Sequence, residues 1–365
     1  MMDFTLSDER RMLQDSLSRY LADTLDHERR RKTLDSGAPY DKDLFKGLAD
    51  LGTLAALFPE EAGGFGGKGP DLALVFETLG RAGTLEPFLP AALAAPLLTD
   101  HADLAEQIIS GEAIVTLAHT EPDARYDLSD VSLSATPTLN GTKTGVLYGA
   151  QATHLIVSAR ETGDRHDPNG NSLYLVPTDA PGLAITPLTN VDGTAAAQIT
   201  FTDTPAAIRL GQPGQGHALL ETATAHAILA LSAETLGAME TAKDLTLAYL
   251  QERQQFGRPI GTFQALQHRL ADMLTEIEQA RSAVINLAGH LHTPRDTRER
   301  HVSATKNLIG RVAALVAEEA IQMHGGIGMT EEYELSHHAR RLIMADHLFG
   351  DTDHHLDRFI HLSAG

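Results

Sequence analysis

Arginine, glutamine and paired glycines are the residues whose types and spacing point to chemistry in this chain. In ERQQFGRPIGTFQALQHRLADM, residues 252–273, Arg253 stands at the end of a helical stretch beside a Gly-Arg-Pro turn. A guanidinium there offers forked donors and a permanent charge, which suit a pyrophosphate. The plain alternative is an arginine salt-bridged across the end of its own helix. In QMHGGIGMTEEY, residues 322–333, two adjacent glycines and a third at Gly328 follow a long helical segment. They let the backbone run close against a flat or anionic group, although a simple helix stop needs only one of them. Two histidine pairs, His337 with His338 and His354 with His355, invite a metal reading. Adjacent residues on a helix point about 100° apart, so each pair supplies at most one inward ligand, and no H-E-x-x-H spacing occurs. No metal site is expected.

Composition narrows the classes. With 29 Lys plus Arg against 49 Asp plus Glu, the formal charge of −20 repels nucleic acid and anionic lipid. No apolar run approaches the length of about 20 residues that a bilayer-spanning helix needs, and the acidic start MMDFTLSDERR is unlike a signal peptide. A cytoplasmic protein with no membrane insertion is expected. The chain has no cysteine, which rules out disulfides, thiolate metal sites and a cysteine nucleophile; it also has no tryptophan to stack on a cofactor.

The elements that must position these residues fall into three segments. From Leu6 to about Ile109 the pattern is helical, opened by Ser7 as an N-cap with acids in the first turn. It is broken by PEEAGGFGGKGP, residues 59–70, a glycine-rich loop whose backbone can approach something closely. From about Ala113 to Leu210 short β-branched runs predict a β segment, with Asn140-Gly141 as a hairpin turn. After the PGQG turn at 213–216, three helices longer than 25 residues are predicted. Leu229, Ala233, Leu236, Met239 and Ala242 fall at three- or four-residue spacing for bundle packing. TPRDTRERH, residues 293–301, is highly charged and reads as a solvated connection between two of these helices.

That order, with these motifs, resembles the acyl-CoA dehydrogenase family over essentially the whole chain. The resemblance implies an α+β, mostly α fold: an N-terminal helical domain (1–112), a middle β-barrel-like domain (113–212) and a C-terminal four-helix bundle (213–365) that holds FAD and builds a tetramer. Arg253 matches the arginine of the family's R-x-x-F-G segment, which meets the FAD pyrophosphate bound mainly by a neighbouring subunit; Phe256 packs near the cofactor and Gln264 hydrogen-bonds it. Gln322, Gly325 and Gly326 are the positions that touch the adenosine diphosphate part. In AHTEPDARYDLSD, residues 118–130, Thr120, Glu121 and Pro122 match a family loop whose threonine faces the flavin ring. DARYD replaces the family's small-residue segment there. Asn140, Gly141 and Lys143 match an N-G-x-K strand. Gly145 and Leu147 stand where the family has a tryptophan and a threonine that pack on the flavin and bond its N5 edge, and Tyr148 is the ring next door that could stack.

The family reaction removes the α-proton of an acyl-CoA thioester with a carboxylate while the β-hydride goes to flavin N5. In most members the base lies 27 residues after the glutamine of the Q-x-x-G-G motif; counted from Gln322 that position is Phe349, followed by Gly350, Asp351 and Thr352. Other members place it 26 residues before the R-x-x-F-G arginine, which is Ala227 here. The nearest titratable groups are His226, Asp346, Asp351 and Asp353, of which Asp351 is the candidate general base. The ending HLFGDTDHHLDRF resembles small subunits of heteromeric members, such as those acting on pimeloyl-CoA or steroid-side-chain acyl-CoA.

Three readings follow. The first is a subunit of an FAD-dependent acyl-CoA dehydrogenase in an α2β2 assembly, acting on a bulky, steroid-derived or dicarboxylic acyl-CoA, with the base on an unlike subunit and electron-transfer flavoprotein as electron acceptor. The second is a self-sufficient homotetramer using Asp351, and the third a non-catalytic assembly module. The loop from Gly63 to Gly69 lies near the acyl tail in the family arrangement, with a plain surface loop as the alternative.

Overall fold

The computed structural model of the chain describes residues 7–206 and 208–364. Leu6, the first residue of the expected helical segment, and Gly365, the last of the expected C-terminal domain, lie outside them. In chain order the helices α1 (Asp8–Thr24), α2 (His27–Asp35), α3 (Lys42–Asp50), α4 (Gly69–Ala82), α5 (Phe88–Ala94) and α6 (Ala102–Ile109) come first. The strands β1 (Val115–Ala118), β2 (Leu139–Leu147), β3 (His154–Arg160), β4 (Asn171–Pro177), β5 (Leu183–Thr189), β6 (Ala195–Thr204) and β7 (Ile208–Leu210) follow. Then come α7 (Gly216–Glu252), the short hairpin β8 (Gln254–Gln255) and β9 (Arg258–Pro259), α8 (Gln264–His290), α9 (Arg295–His324), α10 (Glu334–His347) and α11 (Thr352–Ala364). Helix, β, helix is the order expected from the sequence.

The chain divides into two compact units. One holds the described residues of Met1–Arg31, Lys68–Thr84 and Ile228–Gly365; the other holds Lys32–Gly67 and Leu85–Ala227.

In the first unit, α1 starts at Ser7, whose Oγ accepts the Arg10 N–H at 3.3 Å, and α4 stops at Gly83, a left-handed residue at φ +66°. Every residue from Ile228 to Glu240 is buried, and the two glutamates among them, Glu234 and Glu240, are paired with Arg341 and Arg281; the expected face is part of that core. Glycines let α4 and α7 cross in near contact. A Cβ at Gly80 would lie 1.9 Å from the Glu234 carbonyl oxygen, and one at Gly237 would lie 2.1 Å from that of Glu77. Across this crossing Arg281 of α8 donates to Glu77 (2.9 Å) and Glu240 (2.7 Å), which joins three helices with one guanidinium.

TPRDTRERH is not a solvated connection: α9 begins at Arg295, inside it. Glu299 is 2% exposed and accepts from Arg298 and from Arg358 Nη2, both at 2.6 Å. Local sequence shows a run of charge, but the partner that makes one of those charges an interior group lies in α11.

In the second unit the strands form two open sheets, of order β1-β3-β4-β7 and β2-β6-β5. β1 and β3 are parallel, and all other pairs in the two sheets are antiparallel. Asn140 and Gly141 lie within β2 and are not a hairpin tip. The chain reverses just before them, where the Ser134 and Asn140 N–H groups donate to each other's carbonyls at 3.0 and 3.1 Å. Gly141, at φ +144°, sits at an irregularity in the pairing of β2 with β6, and Asn140 Oδ1 accepts the Asp203 N–H at 2.9 Å. The dipeptide signals a backbone that needs glycine, and a strand irregularity uses that freedom as readily as a turn. The glycine-rich loop folds onto its own stem: Cβ atoms at Gly64 and Gly66 would meet the Phe58 and Ala56 carbonyl oxygens at 2.1 and 2.2 Å. Glu86, 8% exposed, accepts the Leu85 N–H at 3.0 Å. Burial pushes its carboxyl up to about 7, opposed by backbone N–H groups including that of Asp41 and reinforced by the Asp41 charge.

Two stability measurements test these contacts. Gly237→Ala in an ordinary helix would stabilise by about 0.5–1 kcal/mol, but here urea unfolding should show a loss of about 1–3 kcal/mol from the clash. For Glu86 the folded carboxyl holds its proton to higher pH than the unfolded one, so its stability contribution is intact below pH 4.5 and is lost as pH rises towards 7. Glu86→Gln should therefore raise the urea midpoint at pH 8, by up to about 3 kcal/mol of stability, and change little at pH 4.5. An equal shift at both pH values would contradict the assignment.

Candidate functional site

The first unit brings two of the sequence motifs together. The last turn of α7 closes with the Arg253 N–H on the Tyr249 carbonyl (2.8 Å), and the Ile260 N–H then donates to the Arg253 carbonyl (2.8 Å) across the β8–β9 hairpin. Its tip is Phe256-Gly257, both left-handed at φ +54° and +77°, the conformation a tight hairpin turn requires. The turn thrusts Phe256 outward to 90% exposure. Arg253 is exposed, and among the described residues its guanidinium has no hydrogen-bond or ion-pair partner, so it does not cap its own helix. Gln264 opens α8 beside the hairpin, also exposed.

Tyr249, one turn before Arg253, stacks on His324 with centroids 4.4 Å apart, and His324 packs on Tyr333 at 5.3 Å. His324 Nδ1–H donates to the Ala320 carbonyl (2.8 Å), which leaves Nε2 of the neutral ring to accept the Tyr333 O–H (3.2 Å). Burial holds this imidazole below its ordinary pKa. The aromatic stack thus anchors the end of α9 against the end of α7. Just beyond it α9 stops at Gly325, φ +68°, and a Cβ at Gly325 or Gly326 would meet nothing within 4 Å. Gln322 and both glycines are exposed. Arg253, Phe256, Gln322, Gly325 and Gly326 therefore belong to two adjoining, open turns. The Tyr249–His324–Tyr333 stack that joins them was missed in the sequence. A helical aromatic four residues before the arginine is its one local signal.

In the second unit Thr120 is exposed, and its carbonyl accepts the Thr144 N–H (2.8 Å). The next residue, Glu121, is buried and joined to fully buried Lys143 at 2.7 Å. The matched residues of the two β-segment motifs are thus partners in one ion pair. Lys143 donates to the Glu121 carboxylate, the His119 carbonyl (2.9 Å) and Ser158 Oγ (3.0 Å), which uses its three hydrogens. Ser158 must then donate to His119 Nδ1 (2.8 Å), so the His119 proton sits on Nε2. Burial and the Lys143 charge push His119 down to about 3, and burial brings Lys143 down to about 8 against the pull of Glu121. Burial works to raise Glu121, but Lys143 and the Ser132 and Leu133 donors hold it near 2. At the expected flavin-ring positions, Leu147 and Tyr148 are buried, and the Tyr148 hydroxyl donates to the Leu85 carbonyl, so this ring is enclosed. A Cβ at Gly145 would meet nothing within 4 Å.

Neither expected base position carries a carboxylate. Ala227 is buried, and Phe349 is half-buried with a left-handed backbone at φ +58°. Asp351 precedes α11 and its Oδ1 accepts the His354 N–H (2.9 Å), an N-cap role. Asp346 also serves the start of α11, accepting from the Thr352 N–H (3.1 Å) and hydroxyl (2.8 Å). Asp353 is exposed, and the buried His226 holds the Thr222 carbonyl at 2.9 Å. His337 and His338 are both buried. Arg30 and Arg340 both donate to His337 Nδ1 (2.6 and 3.0 Å), and its Nε2–H donates to the Glu331 carbonyl (3.0 Å); burial first, then these cations, push it down to about 4. Among the described residues no group of three or more His, Asp or Glu side chains could hold a metal ion, and no helix is long and apolar enough to cross a membrane.

Comparison with known proteins agrees with this layout. The chain matches the acyl-CoA dehydrogenase N-terminal domain over residues 7–104, the middle domain over 116–204 and the C-terminal domain over 214–360. It is 32% identical over 355 residues to the probable acyl-CoA dehydrogenase YngJ of Bacillus subtilis (strain 168), covering 91% of this chain and 92% of that protein. Among solved structures it resembles a variant of the Tcur3481-Tcur3483 steroid ACAD, with a TM-score of 0.88 at 30% identity over 99% of each chain. It also resembles the ChsE4-ChsE5 complex from Mycobacterium tuberculosis, with a TM-score of 0.89 at 25% identity over 100% of this chain and 99% of that one. The chain belongs to the acyl-CoA dehydrogenase family, whose members are FAD-dependent oxidoreductases acting on CH–CH bonds.

Proposed function

We propose that this chain is a subunit of an acyl-CoA dehydrogenase that desaturates the α,β bond of a bulky, steroid-derived or dicarboxylic acyl-CoA, and that it completes the FAD site of an unlike subunit carrying the base. The observation that carries this reading is an asymmetry. The groups suited to a diphosphate are open and free, whereas the position expected to hold the base carries Phe349, and Asp351 is engaged as a helix cap. The likeness to the two-component ChsE4-ChsE5 complex and to a steroid enzyme supports an unlike partner and a bulky acyl group.

The residues fit the diphosphate end of FAD. Arg253 would meet phosphate oxygens with forked donors, Gln264 and Gln322 would add hydrogen bonds, and the space over Gly325 and Gly326 lets a flat group lie on the backbone. Phe256 would be covered in the assembly. Thr120 would contact the ring end, where Leu147 offers no donor. When bound, FAD supplies a hydride acceptor at N5, and electron-transfer flavoprotein would be the onward acceptor. With no carboxylate at 227 or 349, removal of the α-proton falls to the partner. The division at 112 and 212 into helical, β and bundle domains belongs to the same proposal, as does a cytoplasmic location.

Flavin content tests the reading. The chain purified alone should be colourless, and co-purified with an unlike acyl-CoA dehydrogenase subunit that carries the base it should be yellow and bleach with substrate. Arg253→Ala in that complex should weaken FAD retention by about tenfold or more, since a charge-assisted contact is worth about 1.5–3 kcal/mol. A yellow chain that bleaches without a partner would favour the self-sufficient reading, and a complex that never holds flavin would leave an assembly module.

A further inference from the structure

One face of α9 carries Glu299, Ser303, Lys306 and Gly310, spaced four, three and four residues apart, with Asn307 beside them. Such a polar stripe reads as a solvent face, yet Glu299, Ser303, Lys306 and Gly310 are buried. Each of the five meets the segment from Asp346 to Arg358. Lys306 Nζ donates to the carbonyls of Asp346 (3.0 Å) and Gly350 (2.6 Å), and Asn307 donates to that of Thr352 (3.0 Å). Gly310 lies so close that a Cβ there would be 2.0 Å from Asp346 Oδ1. Glu299 holds Arg358, and Arg358 donates in turn to Ser303 Oγ (3.1 Å).

From there the hydrogen bonds run in one direction. His355 Nε2–H donates to the Phe349 carbonyl (2.9 Å), so Nδ1 of the neutral ring accepts, and the Ser303 hydroxyl reaches it at 3.4 Å. Burial pushes His355 down to about 3 and Lys306 down to about 8. The chain Glu299–Arg358–Ser303–His355 thus ends on the carbonyl of a residue whose left-handed backbone is rare for a bulky side chain. Such a conformation persists only where its surroundings over-determine it, and here the carbonyls of Asp346, Phe349, Gly350 and Thr352 are all held.

We propose that Lys306 and His355 are positioning residues that lock the 346–352 turn, so that this chain keeps a working holder for a proton-accepting side chain at position 349 while carrying phenylalanine in it. The inference rests on the reading of the chain as an acyl-CoA dehydrogenase subunit. A carboxylate installed at 349 takes the α-proton of an acyl-CoA: the Cα–H bond breaks, the electron pair moves onto the thioester carbonyl as an enolate, and in heavy water a deuteron returns to Cα. No oxidant is needed.

Two experiments on the full chain decide the matter. Amide hydrogen exchange should accelerate by about tenfold or more in residues 347–352 of Lys306→Met and His355→Phe, on the scale of one lost hydrogen bond to a charged group. The rest of α9 should stay protected, and His355→Gln, which keeps a donor, should restore slow exchange. Unchanged or uniformly faster exchange overturns the holder. In the second experiment, Phe349→Glu should catalyse deuterium incorporation at Cα of octanoyl-CoA by about 100-fold over the parent chain, the lower range of general-base catalysis. Adding Lys306→Met should remove that gain. Octanoyl-CoA that binds to Phe349→Glu without exchanging overturns the proposal. Failure of octanoyl-CoA to bind counts against a straight-chain acyl site in this chain alone, and the amide exchange still decides whether Lys306 and His355 hold the turn.

Discussion

An ammonium enclosed by protein is stable only where oxygens replace its hydration, and at fully buried Lys306 those oxygens are the carbonyls of Asp346 and Gly350. Meeting that demand ends α10, sets the backbone of the 346–352 turn and starts α11. Gly350 has to be glycine for a related reason: at φ +109° a Cβ would lie 2.5 Å from His355 Nε2, the donor that holds the Phe349 carbonyl. One buried cation thereby governs the conformation of the segment that carries Phe349.

The second unit meets the same demand with Lys143, which gives its three hydrogens to Glu121, Ser158 and the His119 carbonyl. The ion pair ties the β1 end, just after Thr120, to β2, and it fixes the His119 tautomer through Ser158. Removing either partner of a buried pair leaves the other charge uncompensated, which makes such pairs strong organisers of local structure even where their net contribution to stability is small. In each unit, then, one buried cation fixes a segment that carries positions singled out in the sequence: Lys306 the 346–352 turn, and Lys143 the stretch just after Thr120.

The open groups behave differently. Arg253, Phe256, Gln264, Gln322, Gly325 and Gly326 are exposed, and two aromatic rings and one imidazole behind them supply the rigidity. A surface with an unpaired guanidinium, a protruding phenylalanine and bare glycines makes full use of its groups only when something covers it. Position 349 has the opposite character, with its carbonyl held by His355 and its side chain apolar. That contrast is the one on which the proposed subunit role rests.

The sequence by itself determined the order of helix, β and helix, the N-cap at Ser7, the three long helices and the two open motifs, because these depend on periodicity, glycine and a permanent charge within a few residues of one another. It also showed that no carboxylate stands at 227 or 349. What a local pattern could not show is which polar residues are interior. The charged run around Glu299 read as solvated, Asn140-Gly141 read as a turn, and Tyr148 read as a ring available for stacking. Each was decided by a partner far along the chain: Arg358 for Glu299, Asp203 for Asn140 and Leu85 for Tyr148. Burial of a polar group is settled by the donors and acceptors that meet it, and only the tertiary structure brings those together.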